Sequence, residues 1–283
     1  MIIVGEKING SIPSVARAIA EKNADLIRSL AQKQSDAGAA FIDVCASVPG
    51  EEEMEVLAWL IGLVQEVTET PIAIDSPNAK HCAQAIPLCK KPGLVNSVSG
   101  EGTKIEDVFP VISGTDWKCI ALLCGDSGIP KNAEHRLTVL ETIIKKAEAY
   151  RIPTANLYID PLVEMLCTSE NGIEVVTSTI KKVKERCADI HVIGAASNVS
   201  FNLPARKYIN QGFIILAIQA GMDSAILDPL NKDMRGLIYA AEALLGQDEF
   251  CMEYIGAFRA GLFGTEVKPA AGGNISTDLK QGG

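Results

Sequence analysis

Ile72-Ala73-Ile74-Asp75 is an apolar run that stops at a carboxylate, and the same pattern returns in Leu94-Val95-Asn96 and Tyr158-Ile159-Asp160. Runs that are apolar at successive positions read as strands covered on both faces, as in parallel sheets. With these three included, eight candidates of this kind fall at residues 2–4, 41–45, 72–75, 93–97, 117–123, 157–162, 191–196 and 224–227. Helical periodicity fills the intervals. Ala16, Ile19, Ala20, Leu26, Leu30 and Ala31 make one apolar stripe, and Val56, Leu57, Trp59, Leu60, Leu63 and Val64 make another. Gly221 stands where a helix over the preceding residues would need a C-terminal cap. Parallel neighbours require a crossover helix. Eight successive β–α units therefore predict a closed (β/α)8 TIM barrel, a single domain over residues 1–262, with a flexible tail over 263–283 that is rich in Gly and polar residues. An open doubly wound sheet would carry G-x-G-x-x-G after its first strand, and Gly5-Glu6-Lys7-Ile8-Asn9 is not that.

Bulk properties narrow the function. The net charge of -9 over 283 residues argues against a general binder of nucleic acid or of an acidic membrane surface. No apolar run approaches the roughly 20 residues of a spanning helix, and Met1-Ile2-Ile3-Val4-Gly5-Glu6-Lys7 does not open as a secretory signal. Cys45, Cys82, Cys89, Cys119, Cys124, Cys167, Cys187 and Cys251 are scattered without a C-x-x-C pair, which suits reduced thiols and a cytoplasmic location. His81, His135 and His191 have no ligand-like spacing, so no protein-bound metal is expected.

Chemistry in such barrels is carried by the C-terminal ends of the strands. Here those ends are uniformly polar: Asn9, Asp43, Asp75, Asn96, Asp160, Ser197 with Asn198, and Asp228. Any one of them could be a turn or helix-cap residue. Converging on one mouth, they would line it with carboxylates and amides and few cations. That lining suits a neutral heterocycle with several N–H donors, because a carboxylate can accept two parallel N–H bonds and an Asn adds one donor and one acceptor. It does not suit a phosphosugar, which would want a Gly-rich phosphate cradle.

Ile3-Val4-Gly5-Glu6-Lys7-Ile8-Asn9-Gly10 resembles the I-G-E-R-x-N start of the methyltetrahydrofolate:corrinoid methyltransferases, whose pterin-binding barrel also occurs in cobalamin-dependent methionine synthase. Ile74-Asp75-Ser76, Val95-Asn96-Ser97, Tyr158-Ile159-Asp160-Pro161-Leu162 and Ser197-Asn198-Val199-Ser200 are similar to that family's other blocks, in order, over roughly residues 1 to 260. The resemblance implies methyl transfer between N5 of tetrahydrofolate and the cobalt of a corrinoid, with the direction open. It implies that Asp75, Asn96 and Asp160 hold the pterin edge, and that Asn198 makes a hydrogen bond at N5 that strengthens in the transition state. Ser197, Asp43 and Asn9 are candidate substrate contacts. Asn202 and Arg206 lie where they would face the folate tail or the corrinoid, or anchor the loop. The chain departs from the family at Asp43-Val44-Cys45, where relatives often have Asp-x-Asn, and at Gly194-Ala195-Ala196.

No D-x-H-x-x-G segment supplies an axial histidine, so the corrinoid is expected on a separate partner protein. A homodimer is implied by resemblance alone. Two other functions use the same pocket: a dihydropteroate synthase-like enzyme, which would want late basic residues for a pyrophosphate, and a non-catalytic folate-binding protein.

Overall fold

In a computed structural model that describes residues 1–48, 50 and 52–264, eight strands run parallel in the order β7-β6-β5-β4-β3-β2-β1-β8. They are β1 (Ile2–Asn9), β2 (Phe41–Cys45), β3 (Ile72–Asp75), β4 (Leu94–Gly100), β5 (Lys118–Gly125), β6 (Leu157–Asp160), β7 (His191–Val192) and β8 (Ser224–Leu227). The circle closes between β7 and β8 through a short bridge. Ile226 N donates to Gly194 O at 3.1 Å, and Asp223 N donates to Val192 O at 3.3 Å. Ten helices among the described residues form the outer layer: α1 (Pro13–Ala20), α2 (Ala24–Asp36), α3 (Glu52–Val67), α4 (Ala79–Ala85), α5 (Lys104–Ile112), α6 (Ala133–Ala149), α7 (Gly172–Arg186), α8 (Arg206–Ala220), α9 (Lys232–Leu244) and α10 (Met252–Arg259).

Local chemistry explains the helix ends. Asn23, Asn132 and Asn231 each accept from the backbone N–H three residues on, and so cap α2, α6 and α9. Gly221 ends α8 at φ +112°, a conformation in which a side chain would be strained.

Two apolar layers divide the core. Val4, Phe41, Ala73, Leu94, Ile120, Tyr158 and Ile193 fill the barrel interior, with the Phe41 and Tyr158 rings edge-on at 6.4 Å. Outward-facing residues such as Ile42, Val44, Ile74 and Val95 pack beneath the helices. The lower interior is therefore a packed plug, and only the upper end of the barrel is open to chemistry.

Two strand ends differ from the sequence expectation. Asp43 lies inside β2, not at its end, and Asn96 lies inside β4, which continues to Gly100. The cause in β4 is a register shift against β5 between Val95 and Val98, which lets the strand continue past its polar residue. At the C-terminus Phe263 is buried against Tyr239, Tyr254 and Phe258. Residues 265–283 of the expected tail lie outside the described residues. No described helix is long and apolar enough to cross a membrane.

Candidate active site

Strand alternation sets the mouth. Two residues beyond each interior apolar side chain comes the next inward position, which gives Glu6 after Val4, Asp43 after Phe41, Asp75 after Ala73, Asn96 after Leu94 and Asp160 after Tyr158. Lateral pairing brings three of these together, since Asp75 sits beside Cys45 on one strand and Asn96 on the other. Asn96 Nδ2 donates to Asp43 Oδ1 at 3.1 Å, and Asp43 shares a hydrogen bond with Asp75. Burial, then repulsion from Asp75, pushes the Asp43 carboxyl well above the usual carboxylate range. Burial also raises Asp75, against the hydrogen bonds it receives from Cys45 and Asp43. Both carboxyls are thus shifted toward the protonated form, in which a carboxyl can donate as well as accept.

Asp160 stands on the far side. Its Oδ1 accepts from Leu162 N at 2.7 Å, and burial pushes its carboxyl up to about 6 against that bond and the nearby Arg136. Arg136, on α6, is completely buried. It donates to the carbonyls of Pro130, Pro161 and Leu162 and pairs with Glu164, which ties the loops after β5 and β6 together. Beside Asp160 opens a cavity of about 550 Å³, lined by Leu122, Ile129, Leu162, Val163, Met165, Asn198 and Phe201 among others. That volume is in the range of small-molecule sites. Asp160 and Asn198 thus meet in one cavity, while Asp43, Asp75 and Asn96 form a second polar group across β2, β3 and β4.

Asn198 opens a short 3-10 turn and is exposed, and it does not cap α8, whose N-cap is Ala205. Arg206 braces the same loop by donating to Ser197 O at 2.8 Å and Ser200 Oγ at 3.0 Å, with its guanidinium 5.7 Å from the Phe201 ring. Ser197 is half-buried, and the structure gives its carbonyl to Arg206. Asn9 is turned to the neighbouring loop, where its Oδ1 accepts from Ser11 N and Ser47 Oγ. Asn202 is exposed at φ +62°. Ser47, Leu162, Asn202 and Ala205 all adopt left-handed backbone in loops at the mouth. Each such residue costs roughly 1 kcal/mol or more, the kind of strain that gathers at functional sites.

Several residues of the site carried no role in the sequence reading. Glu6 lay in the opening block that resembles the family's and on the alternation Ile2, Val4, Glu6, but was given no part there. Arg136 had no local signal, because its partners lie on other loops. Glu53, on α3, is buried and accepts from Ser76 Oγ at 2.6 Å while His81 Nδ1 lies 2.6 Å from its other oxygen, so it anchors the turn directly after Asp75. Cys45 is a poor nucleophile, because burial and then the Asp75 charge push its thiol up to about 12. Among the described residues no group of three or more His, Cys, Asp or Glu side chains is placed to hold a metal.

Comparison with known proteins gives a consistent pattern. A family described as "Pterin binding enzyme" matches residues 6–228. The methylcorrinoid:tetrahydrofolate methyltransferase of Eubacterium limosum is 44% identical over 266 residues, covering 93% of this chain and 98% of that protein. Methionine synthase of Mycobacterium leprae is 24% identical over 82% of this chain, which corresponds to 21% of that larger protein. Among solved structures, Yersinia pestis DHPS with a pterine-sulfa conjugate superposes with a TM-score of 0.63 at 13% identity, covering 87% of this chain and 93% of that one. The 7,8-dihydropteroate synthase of Vibrio fischeri superposes with a TM-score of 0.62 at 16% identity, over 87% of this chain and 93% of its own. These two likenesses speak to the fold alone.

Proposed function

This chain belongs to the pterin-binding enzyme family, and we propose that it is a methyltransferase that moves a methyl group from a methylated corrinoid, carried by a partner protein, to N5 of tetrahydrofolate. The observation that carries the reading is the 44% identity, over nearly the whole of both chains, with a methylcorrinoid:tetrahydrofolate methyltransferase. The direction follows that relative's name. The methionine synthases are more distant and support the same chemical class.

The mouth fits a pterin. Asp75, Asn96 and Asp160 accept and donate along its amide and amino edge, and Asp43 holds Asn96 in place. Because Asp160 spends one oxygen on Leu162 N, it presents the other to the ring. Asn198 makes its hydrogen bond at N5, where a neutral amide positions the ring without acting as an acid. The corrinoid supplies a cobalt that can hold or release a methyl group. Arg206 shapes the Asn198 loop through Ser197 and Ser200 and presents a cation at the rim. Asn9 and Asn202 lie farther out, where the folate tail leaves the cavity.

The cytoplasm as place of action is supported by eight free cysteines and by the partner's corrinoid chemistry. A homodimer is supported by exposed apolar side chains on the helical layer, with Leu244 88% and Phe250 85% exposed. Mixing the purified chain with methylcobalamin and tetrahydrofolate tests the central reaction. The cobalt's optical spectrum should change only when folate is present. Pteroate formation from a dihydropterin pyrophosphate and p-aminobenzoate would establish the synthase instead, and folate binding without either reaction would establish a binding protein.

A further inference from the structure

Arg136 stands in the first turn of α6, at the level of the mouth, and its guanidinium is completely buried. Burial opposes its charge, and so does the N-terminal end of the helix dipole. Four acceptors offset this, and all of them lie in the loops after β5 and β6: the carbonyls of Pro130, Pro161 and Leu162, and the Glu164 carboxylate. None belongs to the packed interior below. Leu162 and Glu164 line the cavity themselves, and Pro130 follows Ile129, which also does. Every side-chain bond of this buried cation is thus directed at the cavity wall.

One peptide unit joins Arg136 to Asp160. The Pro161 carbonyl accepts from Nη1 of Arg136, and the Leu162 N–H of that same peptide donates to Asp160 Oδ1 at 2.7 Å. The unit is planar and rigid, so rotating it breaks both bonds together. The same Nη1 donates to Leu162 O at 3.1 Å, and so grips Leu162 through the carbonyls on both sides of it. Leu162 has φ +66°, a left-handed conformation that a leucine does not hold by local preference. What holds it is the planar fork of the guanidinium, which reaches both loops at once. Nε turns to Pro130 O at 3.1 Å, Nη1 to the two carbonyls after β6, and Nη2 to Glu164. A lysine has one nitrogen with three donors, and would keep the charge while giving up the fork.

Resting on the reading of Asp160 as a pterin contact, we propose that Arg136 is a positioning residue that fixes the Pro161–Leu162 peptide, and through it the Asp160 carboxyl, before folate arrives. Arg136→Lys keeps the charge and should weaken tetrahydrofolate binding about tenfold in calorimetric titration. In an Asp160→Ala background the same substitution should weaken binding by no more than about a further twofold, because the group it acts through is gone. Hydrogen exchange gives a readout at the joint itself. The Leu162 amide should be protected in the wild-type chain without folate and lose that protection in Arg136→Lys, while the amides of β5 and β6 keep theirs. Wild-type affinity in Arg136→Lys, equal losses in the two backgrounds, or protection that falls evenly over the whole barrel each overturn the proposal and leave Arg136 a stabiliser of the fold. A Leu162 amide that exchanges freely in the wild type overturns it without any variant, even where Arg136→Lys fails to fold. Wild-type affinity in Asp160→Ala overturns the reading of Asp160 at the pterin edge, and the proposal with it.

Discussion

At the scale of single residues, the mouth is governed by what burial does to carboxyl groups. Asp160 titrates at about 6 because burial outweighs the Leu162 amide and Arg136. N–H donors of a pterin favour its charged form, so folate affinity should climb as pH rises through about 6 and then flatten, which calorimetric titration at a series of pH values would reveal. Asp75→Ala and Asp160→Ala should each weaken folate binding by ~1.5–3 kcal/mol, about one to two decades in Kd. Wild-type affinity in both variants would remove them from the pterin edge. Asn198 belongs to a different class. Its exposure and its position in the cavity, with no capping duty for α8, suit a group that acts on substrate. Asn198→Ala should therefore slow methyl transfer by ~10²–10³ in single-turnover measurements while leaving methyltetrahydrofolate affinity nearly unchanged. A wild-type rate in this variant would assign Asn198 to loop structure only.

Among elements, β7 is the weakest, because only His191 and Val192 form regular ladder pairs. Asp223 compensates. It accepts from Val192 N at 2.9 Å, lies 3.1 Å from His191 Nδ1, and pairs with Lys184 at 2.7 Å, so it fastens β7 to the start of β8 from below. Burial opposes its charge, but the bonds from His191, Lys184 and Val192 prevail and lower its carboxyl to about 2. The folded state thus prefers the ionised group, and that stability is present above the ordinary value of 3.8 and lost as pH falls toward about 2. Asp223→Asn should lower Tm at neutral pH, with the difference from wild type shrinking as pH falls through that window. A constant difference at all pH values would show that charge is not what Asp223 contributes. The strands themselves were legible in the sequence, since buried parallel strands are apolar at successive positions. The β7–β8 fastening was not, because it joins residues 31 apart through one side chain. That Asp43 and Asn96 lie inside their strands and not at the ends was not legible either, and for Asn96 the reason is that the register shift of β4 has no signature in the run Val95-Asn96-Ser97.

For the molecule as a whole, the barrel places a packed apolar plug below and an acid- and amide-lined mouth above, with strained loops at the rim. Asp75, Asn96 and Asp160 could be picked out as candidates from sequence because each follows an apolar run directly, and Asn198 because it lies in the block Ser197-Asn198-Val199-Ser200 that carries the family resemblance. Arg136 and Glu53 could not be given their parts, since their partners lie on other strands and loops of the closed circle. The most direct measurement follows the methyl carbon itself. The purified chain is mixed with tetrahydrofolate and methylcobalamin carrying a carbon-13 methyl group, and the product is read by NMR. Methyl transfer by this chain predicts that the label appears on N5 of the folate, in an amount that grows with enzyme concentration. Label that stays on cobalt while folate is bound would contradict it.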